Sequence, residues 1–383
     1  VIRAVFGSFS LFYFCLSLFL DGAIGVPTPD HLGVKEGFIF LCLILSLRPR
    51  AIVDAPFMVM ACLIFWISVP FLAAILNHNA SPNMMRDLVA VGFWSLCVFV
   101  PLGDPKPVLK IILAAGLALS VRSLIGVYPL FDVLQFLQAD AFSYLANSPL
   151  VLFTACLLIQ KSIDALYKNQ IQTALILFAL TLLPILAMAG MMQRVSLFGV
   201  FCIALYGILS PVARQPRLIL PMILLCLGGA ALLFLPPIQD QIHLLIQKTQ
   251  QVGVNNRDAE LRAVWASISQ SPLSVLFGMG WGASLKSAAV GDVWVNYTHS
   301  FLSFLLWKTG IVGLCFALGY MGLILKTLYR LRRDQTMFAL SALLPFLIDV
   351  FLYASYKSFG FGGLVWVILA MGRAHETKNS IPQ

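Results

Sequence analysis

The chain has 383 residues, 60% of them hydrophobic and 11% charged, with a net charge of +9 from 25 Lys and Arg against 16 Asp and Glu. Soluble globular domains carry about 25% charged residues, and here the apolar residues come in long runs of the kind a lipid solvent requires, so a water-soluble fold is excluded. In that setting the basic excess reads as membrane topology rather than as a nucleic-acid surface, because cytoplasmic loops collect Lys and Arg.

Taken in chain order, apolar stretches at 3–20, 33–47, 53–76, 87–103, 108–128, 148–163, 170–189, 194–211, 217–236, 300–327, 336–354 and 357–372 predict an all-α polytopic membrane protein of about twelve transmembrane helices. The second and sixth are short for a hydrocarbon core that needs about 20 helical residues. Arg3 and the apolar run behind it read as a first transmembrane helix rather than a signal peptide, since many spans follow. With the N-terminus inside, fifteen of the 25 basic residues fall in short inside loops, and both termini are expected on the cytoplasmic side. The eight cysteines all lie within apolar runs and form no CxxC pair. They read as small core hydrophobes, with neither a disulfide framework nor a zinc site expected.

This topology divides the chain into helices 1–9 over 1–236, one large outside loop over 237–298, helices 10–12 over 299–372, and an inside tail over 373–383. Long ordered loops are uncommon and often functional. The loop contains two stretches with helical spacing of apolar residues, IQDQIHLLIQKTQQ and RDAELRAVWASISQ, and these predict helices lying on the outer membrane face.

Basic residues left outside oppose the topological bias and need a reason. Lys308 and Lys357 read as side chains that snorkel to head groups. Arg194 opens a span at its outer edge, and Arg257 and Arg262 lie in the long loop. Several Arg on one face make an anion site, because guanidinium pairs with phosphate oxygens in two-pronged fashion. Arg262 is five positions from Arg257, off the same helical face. Of the five histidines, His31, His78 and His375 read as solvated and His243 as interfacial, whereas His299 sits where the long loop re-enters the membrane. Arg122 and Asp349 are the main ionisable residues within spans, both toward the outer side, and such residues are functional candidates by default. Asp258 and Glu260 form a D-x-E, but helix geometry points them about 200° apart. The nearby Arg residues would also repel a cation, so no metal or other cofactor is expected. No Walker A or GxGxxG pattern supports nucleotide use.

The segment THSFLSFLLWKTGIVG sets His299 and Ser300 nine residues ahead of Gly310, with Gly313 three further on. This H-[NSQ]-x9-G-x-x-G pattern resembles the signature of the bacterial O-antigen ligase family and its polymerase relatives. NNRDAELRAVWASISQSPL resembles the family's Arg-bearing loop helix, with Arg257 in the Arg position, and MMQRVSLFG resembles the segment of its other Arg, here Arg194. The twelve spans and the loop between the ninth and tenth also look like the ligases, while residues 1–180 carry no matching motif.

The resemblance implies a C-type glycosyltransferase-like fold in the inner membrane, with its loop in the periplasm. It implies metal-independent transfer of a glycan from undecaprenyl pyrophosphate to a sugar hydroxyl of lipid A–core, with inversion. The pyrophosphate is a leaving group that needs charge stabilisation rather than a general acid, a role for Arg194 and Arg257, with Arg262, Asp349 and Arg122 as further substrate contacts. The acceptor hydroxyl needs a base, a role for His299. The polyprenyl chain is expected among apolar spans and membrane lipids, and no nucleic-acid partner is expected. Two rival readings remain: an O-antigen or exopolysaccharide polymerase, which usually has two large outside loops, and a lipid-linked glycan transporter or flippase, which would place charged or broken helices near the midplane.

Overall fold

The computed structural model describes residues 2–25, 34–127, 144–191, 193–212, 257–287 and 292–379. The expected ninth span at 217–236, the first amphipathic loop stretch, His31 and His243 lie outside the described residues.

The described chain is mostly helical. Its helices are α1 (Ile2–Ile24), α2 (Val34–Ser46), α3 (Ala51–Asp54), α4 (Phe57–Leu76), α5 (Ser81–Trp94), α6 (Leu96–Phe99), α7 (Pro105–Val127), α8 (Pro149–Tyr167), α9 (Ile171–Gly190), α10 (Arg194–Val212), α11 (Arg257–Ile268), α12 (Pro272–Phe277), α13 (Phe301–Leu331), α14 (Thr336–Phe351) and α15 (Phe359–Asn379). Among the described residues, five helices are long and apolar enough to cross a membrane: α4, α7, α8, α9 and α13. Shorter apolar helices occur within α1, α10 and α14. The protein is therefore membrane-embedded. One two-stranded antiparallel ribbon, β1 (Leu285–Ser287) with β2 (Val293–Val295), interrupts the otherwise helical architecture.

Two helices form the centre. α8, capped by the Ser148 hydroxyl, is buried along most of its length against α7, α9, α10 and α14. α15 is buried from Phe359 to Ala370. Trp94, Phe301, Phe304 and Tyr356 pack edge-to-face between them and the His299 end of the bundle, filling the space with large side chains.

Two helix defects written in the sequence admit a loop into the bundle. Pro70 lies inside α4 and has no N–H, so the carbonyl of Trp66, four residues back, loses its helical donor. The indole Nε1 of Trp281 donates to that carbonyl at 2.6 Å, and Trp281 N donates to Pro70 O at 3.2 Å. Gly310 breaks α13 with φ +66, a conformation open mainly to glycine. The break leaves the carbonyls of Trp307 and Lys308 to accept from Met279 N at 2.9 Å and Gly280 N at 3.0 Å. A Cβ on Gly310 would collide with the Leu276 backbone, and one on Gly278, which also has positive φ, would collide with Lys308. The Asn79 amide closes the arrangement on the carbonyls of Met279 and Trp281. Trp66 lies ten residues from the end of α4, about 15 Å at the helical rise. Residues 278–283 are thus packed well inside the bundle, although the sequence pattern places the whole of 237–298 on the membrane face. Irregular backbone is tolerated at such depth because protein groups accept the backbone N–H of each residue from 278 to 282.

Candidate functional site

The site is assembled at the end of the bundle where α11, β1, the start of α13 and the α14–α15 connection meet. Glu260, on the inward face of α11, is 3% exposed. Its Oε2 accepts the backbone N–H of His299 at 3.0 Å, and its Oε1 lies 3.1 Å from His299 Nδ1 and accepts from Ser287 Oγ at 3.2 Å. A carboxylate there takes Nδ1–H as donor and leaves Nε2 as the basic nitrogen of the neutral ring. Burial would raise the Glu260 carboxyl, but the hydrogen bonds and charge of His299 and the Ser287 hydroxyl outweigh it and hold it below its ordinary value. The His299 side chain is 23% exposed, so the ring is oriented yet reachable. Tyr297 packs edge-on against it.

Arg257 stands one helical turn before Glu260. Its Nη2 donates to Leu352 O at 2.8 Å, and its buried Nε has no hydrogen-bond partner among the described residues. Burial lowers the Arg257 pKa, the neighbouring Tyr353 and Glu260 pull it back up, and Arg194 at the start of α10 lowers it further. The two guanidinium groups are therefore close enough to repel. Tyr353 belongs to the same cluster. Its phenol hydrogen-bonds with Ser196 and feels the charges of Arg257, Asp349 and Arg194. Asp349, 2% exposed, accepts from Ser355 Oγ at 3.0 Å, and its second oxygen is buried without a partner among the described residues.

The short connection between α14 and α15 ties these parts together. Ser300 Oγ donates to Val350 O, Tyr356 OH donates to Thr298 O at 2.8 Å, and Lys357 Nζ donates to Asn296 O at 3.1 Å. The backbone leading into His299 and the head group of Arg257 are thus fixed by the same nine-residue stretch, 349–357.

The remaining candidates lie elsewhere. Arg262 and Asp258 pair with each other at 2.9 Å on the exposed face of α11, at 76% and 73% side-chain exposure. Asp258 and Glu260 therefore diverge and do not form a joint metal site. Among the described residues, no three His, Cys, Asp or Glu side chains gather as metal ligands. Arg122 is bound to the end of α1, donating to Gly22 O at 2.9 Å and Gly25 O at 2.7 Å beside Asp21. Lys308 and Lys357 do not snorkel. Both pair with Asp87 of α5, at 3.0 and 2.8 Å, and Asp87 also accepts Gly282 N at 2.8 Å. Lys308 and Asp87 are fully buried, and Lys308 also lies over the Trp307 ring. Burial of the two lysines beside a carboxylate is favoured over snorkelling because Asp87 supplies the counter-charge and the entering loop supplies carbonyls such as Ala283 O.

Sequence reasoning passed over Glu260, Tyr353 and Asp87. Glu260 carried one usable signal, its three-residue spacing from Arg257, which puts both on one side of a helix. Compared with known proteins, the chain matches no family model and no curated protein.

Proposed function

We propose that the protein is a membrane glycosyltransferase of the O-antigen ligase type. It moves a glycan from undecaprenyl pyrophosphate to a sugar hydroxyl of lipid A–core. In this reading the chain crosses a bacterial inner membrane about twelve times with both termini in the cytoplasm, and His299 faces the periplasm. The observation that carries the proposal is an oriented, accessible His299 held by the buried carboxylate of Glu260, one turn of α11 from Arg257, on which the charge of Arg194 also acts.

The chemistry follows from those groups. Nε2 of His299 takes the proton of the acceptor hydroxyl as its oxygen forms the new bond to the anomeric carbon. The bond from that carbon to the pyrophosphate oxygen breaks on the opposite face, and its electron pair leaves with the pyrophosphate, inverting the centre. Arg257 and Arg194 meet the charge that develops on the leaving oxygens, in a water-poor setting where guanidinium counts for more than in bulk solvent. Arg122 and Arg262 have no step in this scheme, given where they lie, and Asp349 adjoins the site only through Tyr353.

The polymerase reading shares donor, base and Arg groups, and differs only in taking a second lipid-linked glycan as acceptor. A transporter would use such a charged pair beside broken helices, but here Asp87 accepts from Gly282 N and Lys308 donates to Ala283 O, so the entering loop ties the pair in place rather than leaving it to alternate. His299→Ala is expected to abolish transfer while the protein still inserts and purifies as wild type. Transfer at the wild-type rate would remove the base. Chain growth from lipid-linked glycan alone, without lipid A–core, would replace ligase by polymerase.

A further inference from the structure

The groove that α2 leaves against α5 and α6 has no part in the transfer scheme. It encloses about 230 Å³ and is lined by eight apolar side chains and Gly92, among them Phe40 and Leu47 from the α2 side, Phe93 from α5 and Phe99 from α6. A water held in a cavity needs two to four polar partners. No side chain of this lining supplies one, so the groove suits a hydrocarbon. Gly92 keeps it open. Glycine disfavours a helix interior, and nothing lies within 4 Å of the place a Cβ would take there, so no close packing calls for it.

The groove ends on a cation. Arg48 N donates to Phe99 O at 2.8 Å and Arg48 Nη1 donates to Leu47 O at 2.9 Å, which holds the guanidinium beside two lining residues. Its Nε is buried without a hydrogen-bond partner among the described residues. Arg50, two residues on, is exposed. Among the described residues neither arginine pairs with a carboxylate, and Asp54, the nearest acid in sequence, is taken by Arg373 at 3.1 Å. α2 has 13 residues, about 20 Å at the helical rise, against a hydrocarbon core of about 30 Å, so the cation at its end lies close to hydrocarbon. This end of the bundle is turned away from His299. α15 leaves the 349–357 connection at Phe359, and Trp366, about 10 Å further along the helix, donates its indole N–H to Val100 O at 3.2 Å.

We infer that this groove binds an anionic phospholipid of the leaflet opposite His299, with one acyl chain between α2 and α5–α6 and the phosphate at Arg48 and Arg50. Guanidinium pairs with phosphate oxygens in two-pronged fashion, and two arginines without a carboxylate favour a head group of net negative charge over a zwitterionic one. The polyprenyl chain of the donor is the other apolar ligand at hand. Its pyrophosphate belongs at the His299 end, so a phosphate at Arg48 is carried by a different molecule. The site stands whether or not the protein transfers glycans.

The test titrates the full chain in detergent with phosphatidylglycerol and, beside it, phosphatidylcholine of the same acyl chains, and reads bound lipid by native mass spectrometry. Wild type is expected to hold one phosphatidylglycerol at least fivefold more tightly than phosphatidylcholine. Gly92→Leu puts a side chain into open space, so the fold should persist while phosphatidylglycerol binding weakens at least tenfold. Arg48→Gln keeps a donor for Leu47 O and should bring the two lipids within twofold of each other, and Arg50→Gln should narrow the gap less. Equal affinity of wild type and Gly92→Leu for phosphatidylglycerol, or no preference between the lipids in wild type, overturns the site. So does displacement of phosphatidylglycerol by an equimolar polyprenyl phosphate, which would give the groove to the donor's tail. A dimer that Gly92→Leu dissociates would give it to a second copy of the chain and overturn the site as well.

Discussion

Two buried carboxylates, Glu260 and Asp87, are built in nearly the same way and lead to opposite ends. Each accepts a backbone N–H from the loop and each faces a nitrogen that can carry a proton. The difference lies in the partner. Glu260 faces a ring that reaches solvent, so its charge is spent on orienting a group that can react. Asp87 faces one ammonium with no exposure and a second that is mostly covered, so its charge is spent on holding α5, α13, the entering loop and the α14–α15 connection together. Exposure of the partner, more than the carboxylate itself, separates a site from a clamp.

The sharpest way to test that contrast is Glu260→Gln, which keeps the shape and removes the charge that selects the His299 tautomer. Transfer is expected to fall by about 10²- to 10⁴-fold, the range in which general-base catalysis contributes, with a loss of thermal stability near neutral pH that stops well short of unfolding. Loss of fold rather than of rate would make Glu260 a second clamp. The same variant alters the pH dependence. The Glu260 carboxyl is held below its ordinary value in the folded state, so its stabilisation is complete above the ordinary glutamate range. It is lost as pH falls through the lowered folded value. Acid unfolding of wild type should steepen in that window, and Glu260→Gln should flatten it.

Asp87→Leu attacks the other side of the comparison. Removing one partner of a buried pair costs about 3–5 kcal/mol, because a charge is left uncompensated. A large drop in unfolding temperature in detergent is expected. Lys308→Met and Lys357→Met added to it should recover most of the loss, since apolar replacement of a whole buried ionic group is often neutral. Failure of the triple variant to recover would mean that the lysines act beyond their pairing with Asp87. Of the two Arg residues on α11, Arg257→Lys loses the planar fork and should cut transfer by about 10- to 100-fold. Arg262→Ala breaks only an exposed pair and should shift stability by no more than about 0.5 kcal/mol, with transfer within twofold.

Much of the helix pattern was legible, because hydropathy reads it directly. Every apolar stretch expected among the described residues coincides with a helix, although the fourth is split at Ser95 and begins at Ser81. His299, Arg257 and Arg194 each stand out in the sequence, but whether they converge is not legible there, because no spacing reports a meeting of residues about 40 to 100 positions apart. What stayed hidden was pairing across long sequence distance. Lys308 and Lys357 looked like head-group anchors because their counter-ion, Asp87, is more than 200 residues away. Glu260 reads in the sequence only as half of a D-x-E, set aside because a helix turns it away from Asp258, so its link to His299, 39 residues on, is not legible there. Asp349 and Lys357 apart, the 349–357 connection carries no pattern, because its hold on Arg257 and Ser300 is through the main-chain carbonyls of Leu352 and Val350.

The interruptions at Pro70 and Gly310 also set an order of assembly. α4 is synthesised some 200 residues before Trp281, and until that indole arrives the Trp66 carbonyl sits in a bilayer-spanning helix without its fourth-neighbour donor. An unsatisfied carbonyl in hydrocarbon costs several kcal/mol. The N-terminal helices alone are therefore an incomplete product. The loop can seat only once α13 has presented its break, so the last third of the chain closes a fold that the first third opened. Biogenesis of this protein is concluded from its C-terminal side, and a nascent chain halted before residue 281 would carry the Pro70 defect open to the lipid.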